Sequence, residues 1–286
     1  MNAQQFVEEV MHSPFATENF QQQYADFQEY QQLAMQTLDA FCHVCEKHHI
    51  PYQLAWGSLL GAIRDGGQIP WDYDVDVFVP YKEKDRLLEA LDRDLDENYY
   101  VYCPETAPRC RHCMMRLAPK GYHSDVLHVD VFYLIGAPED PEERAVFAKR
   151  VAAVANQRYQ KLVDPFRASM GRFKSFVKLC LMRLKMLPVS LEDIEKEYHS
   201  LCTKYDFDSA AYCISADVFA ADASFPATAI KTTLQYATSQ GSYAIPTGHD
   251  EILRLLYKNY MQAFPLENRI QEMTGHYQTL KRFAKK

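Results

Sequence analysis

The sequence has no long hydrophobic run, no excess of positive charge, no internal repeat and no low-complexity linker. Each absence excludes something. No window approaches the ~18 apolar residues of a membrane-spanning helix, so no such span is expected. The formal net charge of −7 argues against a general nucleic-acid binder, which needs a basic stripe. The first residues, Met1 to Glu9, are acidic and polar, where a secretory leader would be basic and then apolar. The expectation is a protein made and kept in the cytoplasm. With neither repeat nor linker, the 286 residues read as one compact unit with subregions.

Eight cysteines are present, and two groups have metal-like spacing. Cys42 and Cys45 lie near His48 and His49, and Cys110 and Cys113 follow Cys103. The first pair sits on a strongly helical segment, where positions i and i+3 share a face. A free cysteine there packs as a small hydrophobe. The separation of the two groups exceeds that of zinc ribbons, so packing is preferred over a structural zinc.

Between 18 and 49, Phe20, Tyr24, Phe27, Gln31, Ala34, Leu38 and Phe41 approximate one helical face. Pro51 ends that helix, and Tyr52 to Trp56 reads as a strand. Gly57 and Ser58 form a turn, and Leu59 to Arg64 a short helix ended by Gly66 and Gly67. Ile69 to Pro80 reads as a second strand, Lys82 to Leu95 as a helix. Tyr99–Cys103, Met114–Ala118 and Val126–Ile135 are further strands. Beyond Pro141 helices dominate: Glu142–Leu162, Leu191–Tyr205, and one from near His249 to Met261. The expected class is α+β: a mixed β-sheet core over 50–140, an N-terminal helix over 18–49, and a mainly helical region over 141–286.

The most informative stretch is Trp71-Asp72-Tyr73-Asp74-Val75-Asp76-Val77-Phe78-Val79. On a strand, alternate side chains share a face, so Asp72, Asp74 and Asp76 are expected to project together. Three such carboxylates repel one another, and a core accepts none of them unpaired. A divalent cation removes the conflict, because hard cations take carboxylate oxygens. The bland alternative is a solvated acidic strand edge, disfavoured because like charges on one face destabilise a strand.

Upstream, a Gly57-Ser58 turn leading into a helix offers backbone N–H groups, a hydroxyl and a helix N-terminus, which suit a phosphate. Downstream, His128-Val129-Asp130-Val131-Phe132-Tyr133-Leu134 puts one carboxylate in an apolar strand. Asp130 is read as a further metal ligand or as the base for an acceptor hydroxyl. Pairing with an arginine such as Arg116 is the plain alternative. His128 is second choice as base, being expected off the Asp130 face.

The run Gly57-Ser58-Leu59-Leu60-Gly61-Ala62-Ile63-Arg64, followed by Ile69-Pro70-Trp71-Asp72-Tyr73-Asp74-Val75-Asp76, strongly resembles the LicD/fukutin family of nucleotidyltransferase-fold phosphotransferases. The likeness is closest over about 50–80. It continues at Asp130 and more weakly around Ile245-Pro246 and Leu256 to Met261. The resemblance implies a nucleotidyltransferase-like core and transfer of phosphocholine, or another phospho-alcohol, from a CDP-alcohol such as CDP-choline to a glycan hydroxyl. CMP is released, and the glycan is in some cases lipid-linked.

Carried over by position, Gly57 and Ser58 become the donor phosphate turn. Asp74, Asp76 and Asp130 become the catalytic carboxylates, and with Asp72 they hold Mg²⁺ or Mn²⁺. Arg64 sits where a cation could face the donor diphosphate, or else forms a helix-surface salt bridge. Tyr73 departs from the family, many bacterial members carrying another Asp there. It points off the carboxylate face, so the metal site is expected to survive while donor identity is put in question. Tyr236, Tyr243, Tyr257 and Tyr260 could line an aromatic pocket for a quaternary ammonium, though core packing suits most of them.

Residues 165–191 contain no acidic side chain. Arg167, Arg172, Lys174, Lys178, Arg183 and Lys185 interleave there with Phe173, Phe176, Val177, Leu179, Leu181, Met182, Leu184 and Met186. Such a basic, apolar helix suits an anionic membrane surface through 167–187, which would make the protein peripheral on the inner face of the membrane. A hairpin docked on the core is the alternative. Two other functional readings stand beside the phosphotransferase: a nucleotidyltransferase releasing pyrophosphate, and a non-catalytic glycan-binding or scaffold protein.

Overall fold

The structure is a computed structural model that describes residues 1–168, 173–219, 221 and 223–285. In chain order its elements are α1 (Ala3–Met11), α2 (Phe20–Lys47), β1 (Gln53–Leu54), α3 (Trp56–Arg64), β2 (Val75–Pro80), α4 (Lys84–Asp94), β3 (Tyr99–Tyr102), β4 (Met115–Pro119) and β5 (Val129–Ala137). There follow α5 (Pro141–Leu162), α6 (Pro165–Ala168), α7 (Phe173–Lys185), α8 (Leu191–Cys202), β6 (Tyr212–Ser215), β7 (Ser224–Pro226), α9 (Ala227–Ile230), β8 (Thr233–Ala237), β9 (Ser242–Pro246), α10 (His249–Tyr257) and α11 (Leu266–Phe283). The class is α+β, with a mixed sheet and helices before and after it.

The sheet runs β1-β2-β5-β4-β3, with β6 on the second half of β5 and β7 beyond it. Among the described strands only β2 and β5 pair in parallel. Their valines (Val75, Val77, Val79, Val129 and Val131) share one face of the sheet and are buried. Each such side chain contributes on the order of 1.5–3 kcal/mol relative to exposure.

Helix α2 buries Phe20, Tyr24, Phe27, Gln31, Ala34, Leu38 and Phe41, the face expected from the sequence. Cys42 and Cys45 continue that buried face, so these two thiols pack in the core. Burial pushes the Cys42 thiol up to about 12. Helix α7 buries none of its residues. It rests beside α5, so the docked-hairpin reading describes one of its faces. Arg172 and the side chain of Arg167 lie outside the described residues. No helix among the described residues is long and apolar enough to cross a membrane.

Two expectations need correction. The strand expected over Tyr52–Trp56 shrinks to Gln53–Leu54, because α3 starts at Trp56 and takes Gly57 and Ser58 into its first turn. The acidic strand also shortens: β2 begins at Val75, opposite Val129 where β5 begins, two residues before its first β1 partner, Val77. Asp72 and Asp74 therefore lie in the loop before the strand, and only Asp76 is on it.

Candidate active site

The acidic loop is clamped by α2. The Tyr24 hydroxyl donates to the Pro70 carbonyl at 3.0 Å. Gln31 Nε2 donates to the carbonyls of Ile69 at 3.1 Å and Asp72 at 2.6 Å. Asp72 Oδ1 in turn accepts the Asp74 N–H at 3.2 Å, a local turn of the kind Asp favours over regular strand. Tyr73 points the other way, into the core, where its ring meets Phe27.

Across the sheet, Asp76 is in register with Asp130, and Asp130 with Arg116. These three side chains form a row over three adjoining strands. Arg116 Nε donates to Asp130 Oδ1 at 2.8 Å. Its Nη1 donates to Asp125 Oδ1 at 3.0 Å and to the Ser124 carbonyl at 3.1 Å. The arginine pairing weighed from the sequence is thus present. His128 Nε2 lies 3.1 Å from the same Asp130 oxygen, which corrects the expectation that His128 faces elsewhere. Two residues apart, both side chains fall on one side of the strand.

Electrostatics split the carboxylates. Burial raises Asp76 well above the ordinary carboxylate range, and Asp130, Asp74 and Asp72 add to the rise against Arg116. Burial and the Asp74 charge push Asp72 up to about 7, opposed by His276. Asp74 is also raised, by burial first and by Asp130, with His128 opposing. Burial would raise Asp130 too, but Arg116 and His128 overcome it and hold Asp130 well below the usual range.

Helix α3 brings its first turn to this row. Ser58 Oγ accepts the Asp76 N–H at 2.9 Å, and the Ala55 N–H donates to the Asp76 carbonyl. A Cβ on Gly57 would lie 3.4 Å from Asp72 Oδ2, so the helix start abuts the acidic loop. No side chain caps the helix. Trp56 has φ 43°, a left-handed backbone that costs a bulky residue about 1–2 kcal/mol. Its ring is held against Phe78, Phe132 and Phe225, and its Nε1 is buried without a hydrogen-bond partner.

The row opens into a cavity of about 680 Å³. Asp74, Asp76 and Asp130 line one part; Arg111, His112 and Arg116 add polar walls; Trp56, Phe132, Tyr159 and Phe219 supply aromatic ones. Burial depresses His112 to about 4, against its contact with Asp125.

Arg64 is engaged elsewhere, its Nη2 2.7 Å from Asp65 and its guanidinium 5.3 Å from the Trp71 ring centre. This is the helix salt bridge. Tyr243 bonds Asp39 and Tyr260 bonds Asp250; neither lines this cavity. Tyr257 is near enough for Asp76 and Asp72 to add to the rise that burial imposes on its hydroxyl.

Sequence reasoning missed His276 and Gln31. His276, on α11, places Nε2 3.9 Å from Asp72 Oδ1 and its ring 5.1 Å from that of Tyr73. Glu272, Asp72 and Asp74 together raise it despite its burial. No local pattern marks a histidine so distant in sequence. Gln31 carried a signal, a polar residue on the apolar face of α2.

Among the described residues no three His, Cys, Asp or Glu side chains are drawn together tightly enough to hold an ion. The donor chemistry nevertheless fits a hard cation. Asp72, Asp74 and Asp76 offer oxygens and are each raised by a neighbouring carboxylate, so a positive charge among them relieves the repulsion. Asp130 borders the same place but is already neutralised by Arg116.

The LicD/FKTN/FKRP nucleotidyltransferase domain matches residues 49–134, which hold α3, the acidic loop, β2 and Asp130. The lipopolysaccharide cholinephosphotransferase LicD of Haemophilus influenzae is 30% identical over 123 residues, covering 40% of this chain. That match spans 46% of the relative's length, less than half of it. Residues 49–134 are thus similar to the LicD/FKTN/FKRP nucleotidyltransferase domain, and the likeness extends to a LicD relative over 123 residues.

Proposed function

We propose that this protein is a Mg²⁺-dependent phosphotransferase that moves phosphocholine, or a similar phospho-alcohol, from a CDP-alcohol to a hydroxyl of a cell-surface glycan, releasing CMP. The observation that carries the reading is the Asp76–Asp130–Arg116 row opening into an aromatic-walled cavity. The relative's name, lipopolysaccharide cholinephosphotransferase, supports the choice of phosphocholine and of a glycan acceptor.

Asp72, Asp74 and Asp76, with Asp130 beside them, are the residues that would hold the cation. When bound, it would neutralise the donor diphosphate and favour in-line displacement. The chain's own residues do the rest. The uncapped start of α3 presents backbone N–H groups to an anion, and Ser58 fixes that start to Asp76. Trp56, Phe132, Tyr159 and Phe219 are suited to surround an alkylammonium group, whose charge is attracted to ring faces. In this reading Asp130, kept ionised by Arg116, would accept the proton of the acceptor hydroxyl, with His128 beside the same oxygen.

The test is ³¹P NMR of the protein with Mg²⁺, a glycan acceptor pool, and CDP-choline, CTP or ATP as donor. CMP formed from CDP-choline, and no such product with Asp76→Asn, supports the proposal. Pyrophosphate formed from a triphosphate would assign the protein to nucleotidyl transfer instead.

A further inference from the structure

Helix α7 has two dissimilar faces. Ser175, Phe176, Leu179, Cys180 and Met182 are half-buried, on a helix that leans on α5. Its end is tied down by Lys161 Nζ, which donates to the Met186 carbonyl at 3.0 Å. The other face is bare. Phe173 is 78% exposed, Leu181 55% and Leu184 58%, and Val177 is exposed between them. Spaced at i, i+4, i+8 and i+11, these four fall on one stripe of the helix. Lys174, Lys178 and Lys185, one position further on, run along one border of that stripe and are exposed. Phe166, on α6, is 80% exposed. A soluble surface rarely keeps a stripe of this kind without a use for it.

The charge pattern selects the occupant. From 165 to 191 there is no carboxylate, so a twofold contact between copies would set lysine against lysine. An acidic surface with an apolar layer beneath it answers both features. We propose that α7 is an interfacial helix that docks on anionic lipid, with Phe173, Val177, Leu181 and Leu184 at the acyl boundary and the lysine row among the headgroups. Helix α5 packs against α7 and also supplies Ala155, Asn156 and Tyr159 to the cavity. Docking would therefore hold the cavity close to the bilayer. The docking itself does not depend on what the cavity does.

The test is co-sedimentation of the full chain with vesicles of phosphatidylcholine alone or mixed with phosphatidylglycerol. Binding is expected to the mixed vesicles, to weaken with salt, and to be lost in Leu181→Glu/Leu184→Glu, whose circular dichroism should be unchanged because both sites are exposed. Lys174→Ala/Lys178→Ala/Lys185→Ala should weaken it on the order of 100-fold, at roughly 1 kcal/mol per lysine. Asp76→Asn should bind vesicles like the wild type, which separates this result from the fate of the catalytic reading. Absence of binding to the mixed vesicles, or binding that both surface variants retain, overturns the proposal. So does light scattering that shows a dimer split by the double glutamate variant.

Discussion

Asp76 and Asp130 face each other across two parallel strands at the same register, yet they titrate in opposite directions. Asp130 owes its low value to Arg116 and His128. Asp76 has no such partner, and the ionised Asp130 beside it adds to the rise that burial causes. Neighbouring carboxylates driven apart in this way are what a site with separate acid and base roles requires.

Asp76→Asn removes one of four mutually repelling acids while keeping the shape of the side chain. Thermal unfolding should therefore occur at the same temperature or a few degrees higher. Transferase turnover should fall on the order of 10³-fold or more, the scale of losing a main electrostatic element of a site. Calorimetry and CMP release measured on the same preparation check both halves.

The metal-free protein should lose stability as pH rises. The sign follows from proton binding: with Asp72 raised to about 7, the folded state holds a proton that the unfolded chain has released above about 4. Stability from that group is present below pH ~4 and is lost progressively towards pH ~7. Mg²⁺ should raise the melting temperature at pH 7.5 much more than at pH 5, because protons compete for the same oxygens. A melting series with and without Mg²⁺, repeated with Asp72→Asn, measures it.

Arg116→Met should be costly, because it removes the guanidinium from buried Asp130, leaving that carboxylate only His128, while Asp125 keeps Arg111. Losing one partner of a buried ion pair costs about 3–5 kcal/mol. Urea unfolding should show a loss of that order, and Arg116→Lys, which keeps charge but not the fork, should fall between the two.

Gln31→Met keeps the volume but leaves the Asp72 carbonyl without its Gln31 donor, while the Ile69 carbonyl keeps the Asp72 N–H. A cost of about 1–3 kcal/mol is expected, together with a lower turnover number as the acidic loop loses its anchor. An unchanged turnover number at reduced stability would show that the loop is held well enough by Tyr24 alone.

Much of this was legible in the chain. The buried face of α2, the central β2 and β5 strands and the gathering of acids near Asp76 and Asp130 follow from periodicity and from the cost of like charges. The extent of the acidic strand was not legible. β2 begins opposite the first residue of β5, and Asp72 instead turns onto the Asp74 N–H with its carbonyl held by Gln31 of a distant helix. β1 ends where Trp56 adopts a left-handed backbone and starts a helix, which no local propensity gives for a tryptophan. The Asp130–Arg116 pair was the less favoured alternative from sequence, since it depends on the register of β4 against β5. His276 is brought to Asp72 by the docking of α11, a tertiary event with no local signature. Arg64 pairs with Asp65, its neighbour in sequence, the salt bridge that stood open beside a phosphate contact.

The central claim is that Asp72, Asp74 and Asp76 form a cation site against Asp130. Electron paramagnetic resonance of Mn²⁺ titrated into the protein with CDP-choline tests it most directly. Saturable binding of Mn²⁺, displaced by Mg²⁺ and lost in a folded Asp76→Asn, is the predicted result. Equal binding by wild type and variant, or none by either, would contradict the account.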